Sequence, residues 1–158
     1  MQYNDEMLDA PDEIFKKFYP SAGIEKILEK AQELSLGSTV VQVFDARAIF
    51  SREHLQLAYA NAVLATIEKR SRSKSISMEM MLYAALTLQI SDAIKLVGIK
   101  GSTEAVLFSN SNEAYNRIKG MLGRVGELGG TNDSALKILG VNDFQGIMNK
   151  MSLMSISD

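Results

Sequence analysis

From Ser77 to Leu88 the chain is almost continuously apolar, and a helix of that composition has no polar face to turn toward water. Such a segment is read as a buried helix. A short polar break follows at Gln89-Ile90-Ser91, then a second brief helix, then a glycine stop at Gly98. Whatever fold forms has to surround the first helix and leave room for a corner after it.

The rest of the composition allows this. The 158 residues suit one domain, and 46% of them are apolar, enough for a real core. There is no cysteine, so disulfide frameworks, thiolate metal sites and thiol nucleophiles are excluded. The N-terminus is acidic where a signal peptide is basic, and no apolar run reaches the roughly 20 residues of a membrane helix. A cytoplasmic protein is expected. Charge is unevenly spread: residues 1–36 carry eight acids against four bases, and residues 47–100 carry eight bases against four acids. A basic middle suits phosphate, and an acidic flank suits a basic partner.

Periodicity supplies the remaining elements. Residues 1–12 read as a flexible acidic N-terminus and 13–158 as a single domain. Glu13 to Tyr19 reads as a short strand or one helical turn; its aromatics favour strand, and Pro20 ends it or leaves it at a sheet edge. Ile24, Ile27, Leu28, Ala31 and Leu34 share one face of an amphipathic helix. Thr39 to Phe44 is a buried strand. Ser51 caps a long helix with a stripe at Leu55, Ala58, Tyr59, Ala62 and Val63. Ser91 is placed to cap Asp92 to Val97, and Gly98 to take the left-handed position that lets Ile99 fold back on Ile94. Glu104 to Phe108 is a second strand. Glu113 to Leu128 reads as a helix interrupted by glycines, and Asn132–Leu139 and Phe144–Met154 as closing helices. The class is α/β (α+β): a small mixed sheet packed against several helices.

Enzymatic chemistry is hard to find here. His54 is the only histidine and sits in the first turn of its helix, where a local structural hydrogen bond is the expectation. No second metal ligand stands at helical spacing from it. Gly123, Gly126, Gly129 and Gly130 lack the lysine and serine or threonine of a phosphate loop, and Ser71-x-x-Lys74 lies in a linker without partner motifs. The expectation is no active site, no metal and no cofactor.

Binding fits better. Arg70, Arg72 and Lys74 precede the apolar helix, and Lys95 and Lys100 follow the break, so the two sets rim one groove if the helices pack suitably. Such lysines and arginines neutralise phosphates, Gln89 reads a base edge, and Ile90 supports a base face. Against this, only Tyr83 is near as a stacking aromatic, and the break is equally a plain helix–helix corner. The C-terminal Ile147, Met148, Met151 and Met154 form a methionine-rich face that either closes the domain or meets a protein partner.

Three segments carry a resemblance. They are Val41-Gln42-Val43-Phe44-Asp45-Ala46 leading to Ser51-x-x-His54-Leu55-x-x-Ala58, then Ser77-x-Glu79-Met80-Met81-Leu82-Tyr83, then Gln89-Ile90-Ser91-Asp92-Ala93-Ile94-Lys95-x-x-Gly98-Ile99-Lys100. The chain resembles the small non-catalytic subunit family of the KEOPS complex, also called the PRPK-binding family, and its archaeal members most. The complex makes threonylcarbamoyl-adenosine in tRNA. The resemblance implies an α/β accessory protein, not an enzyme, that binds the kinase/ATPase subunit and the single-stranded 3′ CCA end of tRNA. It places Gln89, Ile90, Lys95 and Lys100 in the RNA site, with Arg72 and Lys74 added from charge. One departure stands out: archaeal relatives read Ser-Gly-x-Arg-Gln-Ile at the break, and here the glycine is Leu86 and the arginine is Leu88. The rival readings are a small-ligand regulatory or enzymatic α/β domain and a homodimer built through the methionine face.

Overall fold

The computed structural model describes residues 12–20, 23–100 and 103–156, so all but the last residue of the expected acidic N-terminus lies outside the described residues. In chain order the elements are β1 (Ile14–Phe18), α1 (Ile24–Leu34), β2 (Val41–Asp45), a 3-10 turn (Ala46–Ala48), α2 (Arg52–Ile67), α3 (Ile76–Ala85) and α4 (Ile90–Val97). Then follow β3 (Ala105–Ser109), α5 (Asn112–Ile118) with a 3-10 turn (Lys119–Met121), β4 (Val125–Glu127), α6 (Ser134–Leu139) and α7 (Phe144–Ile156).

The strands form one sheet in the order β2-β3-β1-β4, and each neighbouring pair is antiparallel. The α+β class holds, but the sheet expected to be mixed is antiparallel. The reason lies in the β1-α1-β2 crossover. It gives two strands of the same direction, and β3 inserts between them, so the parallel pair never touches. Both faces are covered. Phe15, Phe44, Val106 and Phe108 face α2, α3, α4, α6 and α7; Phe18, Val41, Val43, Ala105 and Leu107 face α1 and α5. On the first face the Phe108 ring lies between Phe15 and Tyr59, with centroids 5.3 Å and 5.0 Å away.

Where the sequence pattern was strong, the structure follows it. The α2 stripe is buried throughout, and on α1 Ile27, Ala31 and Leu34 are buried while Ile24 is half-buried and Leu28 exposed; Ser51 Oγ accepts from His54 N at 3.2 Å as the cap of α2. Glu113 to Leu128 departs from expectation. Its helix ends at Ile118, and its last part is strand β4, because Gly123 takes a left-handed turn (φ 73°) that redirects the chain beside β1. Gly98 departs too. It is extended (φ −71°, ψ 144°), and it must be glycine because a Cβ there would lie 2.4 Å from the Ile94 carbonyl oxygen. Ile99 therefore packs into the second core with Phe18 and Ile27, not on Ile94.

Helix α3 is buried along its whole length except at half-exposed Met78. Its polar groups are consequently met one by one. Near its N-terminus the buried Glu79 carboxylate uses Oε1 to accept from Arg72 N, Ser73 N and Ser73 Oγ at 3.0, 3.1 and 2.8 Å, which clasps the 71–75 linker. Its other oxygen has no hydrogen-bond partner. Gln42 Nε2 donates to both the carbonyl and hydroxyl of Ser77 at 3.0 Å, tying α3 to the edge strand. Near the C-terminus His54 Nδ1 accepts from Phe50 N at 3.0 Å, so the ring proton sits on Nε2, which donates to Ala84 O at 2.9 Å. This is the structural role expected of His54, extended from a local bond to an inter-helix one. Burial pushes its pKa down to about 4, partly opposed by the Ala84 hydrogen bond.

Two predictions follow from these contacts. Unfolded His54 takes a proton near pH 6.5 and folded His54 only near 4, so stability falls as pH drops between those values, by about 3 kcal/mol. Urea unfolding at pH 7.5 and 4.5 measures the loss, and His54→Gln flattens it over that window. For the linker clasp, Glu79→Ala strands three donors and costs roughly 2 kcal/mol, whereas Glu79→Gln keeps the accepting oxygen and costs less. Thermal melts of the two variants side by side decide whether the orphaned oxygen is dispensable.

Candidate nucleic-acid interface

Helix α3 ends because Leu86 turns left-handed (φ 59°, ψ 38°), and its cap N–H groups return to Leu82 and Tyr83 carbonyls. A branched side chain in that region costs roughly 1–2 kcal/mol relative to glycine. The packing of Leu86 on the core offsets part of it. The position is the one where the archaeal pattern has glycine, the residue that takes this conformation at least cost. Leu88, in the place of the arginine, also packs partly against the core.

After the corner the axis has bent by 68°. Gln89 occupies the capping position and its carbonyl accepts from Ala93 N at 3.0 Å, so α4 starts one residue before the expected Ser91 cap. Its side-chain amide makes no hydrogen bond among the described residues. Ala93 and Val97 are buried, which fixes the orientation of α4. Ile90 and Ile94, four residues apart, are 40% and 49% exposed, and Lys95 stands exposed beside them. Lys100 Nζ donates to Gly98 O at 3.3 Å. The corner thus presents a free amide, an apolar pair and a lysine on one short helix, with a second lysine after it. From the sequence Ile94 was read as a packing partner of Ile99 and not as a binding residue, although its i+4 spacing from Ile90 was the available signal.

The basic residues do not all meet. Arg72 and Lys74 precede α3, whereas Lys95 lies on α4 and Lys100 follows it, and α3 is a rod of about 15 Å between its two ends. Lys74 lines a cleft of about 390 Å³ with Ser35, Gly37 and Thr66. Lys100 lies instead near Asp45 at the far end of β2, where its charge acts on that carboxylate. The packing that would let these residues rim one groove is not the one observed, and the two pairs lie toward opposite ends of α3. Arg72 is additionally occupied, because Nη2 donates to Met154 O at 3.4 Å and its backbone is held by Glu79.

The C-terminal face closes the domain. Ile147, Met151 and Met154 are buried and Met148 is half-buried, with α7 packed against α2; Asn61 Nδ2 reaches the Met151 sulfur at 3.6 Å. Of the two readings open in the sequence, a partner face and a closing helix, the observed one is the closing helix. The apolar stripe packs on α2 within the chain, whereas Leu153 on the same helix is 60% exposed.

Asp45 caps the turn after β2 and is forked by Arg47, with Nη2 at 2.8 Å. Burial alone would raise its pKa, but the Arg47 hydrogen bonds and the charges of Arg47 and Lys100 hold it below the usual range. Among the described residues no three His, Cys, Asp or Glu side chains converge as a metal site. No single helix is long and apolar enough to cross a membrane; α3 and α4 together pass on length and composition, but they are sharply bent and α3 is core.

A search of curated proteins found no match to this chain. A family model does match: the one described as kinase binding protein CGI-121, over residues 20–139. That span contains every segment on which the resemblance to the small KEOPS subunit rests, together with the corner and α4. The chain belongs to the CGI-121 family of kinase-binding proteins.

Proposed function

We propose that this protein is a non-catalytic accessory subunit of a cytoplasmic KEOPS complex. In this role it binds the kinase/ATPase subunit and holds the single-stranded 3′ CCA end of tRNA during threonylcarbamoyl-adenosine modification. Family membership supports the kinase partner. One observation carries the tRNA part. The outer face of α4 leaves Gln89, Ile90, Ile94 and Lys95 exposed, with no side-chain hydrogen bond or ion pair among the described residues. An amide for base edges, an apolar pair for base faces and lysines for phosphates are the groups that a short unpaired strand requires. Arg72, pinned to Met154 and Glu79, is a poor ligand for RNA, and Lys74 acts at most from a distance.

Anisotropy of a labelled tRNA, titrated against the same tRNA lacking its 3′ CCA, tests the proposal. Tight binding that is lost on trimming is the expected result; equal binding of the two refutes the CCA assignment. Lys95→Glu combined with Lys100→Glu should weaken binding roughly tenfold or more at low salt and lower the salt slope by about two, with the melting temperature preserved. The Leu88 departure gives a gain-of-function arm. Leu88→Arg restores the archaeal cation and should tighten tRNA binding several-fold, measured by the same titration.

A further inference from the structure

Asp45, Ala105, Phe18 and Val125 form one row across the sheet, so the residues just beyond them gather at a single sheet end. Tyr19 follows Phe18 there, Arg124 precedes Val125, and Lys100 lies on the β2 side near Asp45. The row crosses three inter-strand spacings, about 14 Å. Between the end of β1 and the chain entering β4 is a cleft of about 440 Å³. Phe18, Leu122 and Val125 supply its apolar lining, and Tyr19, Lys17 and Arg124 are polar-tipped members of it.

Tyr19 is 66% exposed, and it is the only aromatic among the described residues that is largely open to water. The cleft also contains Glu104 and Glu127, but both are engaged: Glu104 with Lys17 at 3.7 Å, and Glu127 with Lys16 and Arg52. Arg124 makes no ion pair or hydrogen bond among the described residues, so it is the cation left over. An exposed ring beside an uncommitted guanidinium, in an apolar-lined cleft, is the arrangement that takes an unpaired base with its phosphate.

We propose that this cleft is a second RNA subsite, in which an unpaired base stacks on Tyr19 while the adjoining phosphate pairs with Arg124. The proposal rests on the tRNA reading of α4 and extends it, because Lys100 and the cleft share one end of the sheet. It also answers the lack of a stacking aromatic near the corner, since Tyr83, the candidate seen in the sequence, is fully buried.

The test uses the full chain with two probes, labelled intact tRNA and a short labelled oligouridine that has no CCA. Tyr19→Ala should weaken binding of both probes roughly fivefold or more, while Tyr19→Phe, which keeps the ring, stays within twofold of wild type. Arg124→Ala should lower the salt slope by about one. Gly126→Val keeps every charge but adds bulk at a residue that lines the cleft, where a Cβ meets no atom within 4 Å, and should weaken binding as Tyr19→Ala does. Wild-type tRNA binding that Tyr19→Ala and Gly126→Val leave unchanged overturns the subsite and spares the α4 site. Tyr19-dependent oligouridine binding with no effect of trimming the CCA does the reverse. Loss of kinase-subunit affinity with unchanged RNA affinity also overturns the subsite and makes the cleft a protein contact. Failure of wild type to bind either probe overturns both.

Discussion

The structure depends on a helix that meets water only at Met78. Because the rest of α3 is buried, the polar groups at its ends are matched from within the protein, all but one Glu79 oxygen, and those matches fix its neighbours. His54 holds α2 to the last turn of α3, Gln42 holds the edge strand to its first turn, and Glu79 gathers the linker that precedes it. Arg70 reaches the Tyr83 hydroxyl at 3.1 Å from the end of α2. Each bond adds only about 1 kcal/mol when made, but a buried group left unmatched costs more, so the set defines one arrangement of α2, β2 and α3. The apolar area that α3 buries supplies the stability; the polar contacts select the geometry.

That selection determines what the rest of the chain can expose. Once α3 fills the core beside α2, α4 can only lie across its end, and eight residues suffice to bury one face there. Its other face is exposed among the described residues. Exposed isoleucines four residues apart are a modest penalty, and here they come with an uncommitted amide and lysine. The same logic separates the basic residues. A rod between two clusters keeps them apart, and the linker cluster is further committed to Glu79 and α7.

How much of this could be read in the chain depended on where the information sat. The stripes of α1 and α2 are local, since each helix buries the face that its own spacing defines, and they were legible. So was α3, whose composition permits only burial. The partners of Arg72 and His54 were not, because Glu79 and Met154, or Phe50 and Ala84, converge only after the helices pack. The antiparallel sheet was equally hidden, since the insertion of β3 between β1 and β2 leaves no periodic mark. β4 is three residues containing a glycine, too short for any strand pattern. The methionines of α7 show another limit, because an apolar face in sequence does not say whether its partner is the same chain. For the proposed site, Gln89, Ile90 and Lys95 were named from the family motif and are exposed; Ile94 lay inside that motif without a binding role, and Tyr19 was read only as the end of a strand or turn.

Leu86 and Leu88 bear on how such a site persists. The corner before α4 needs a left-handed residue, and Leu86 supplies it at a cost that its own packing partly offsets. The backbone path, and with it the position of Gln89, is therefore held by the burial of α3 and α4 around a left-handed leucine. Leu88 packs partly against the core and carries no charge to the corner. A binding surface presented by the end of a buried helix tolerates such exchanges in its polar groups as long as the helix beneath stays buried. The structural demand on this region is thus apolar, and the chemical demand falls on the few side chains that α4 and the sheet end leave in water.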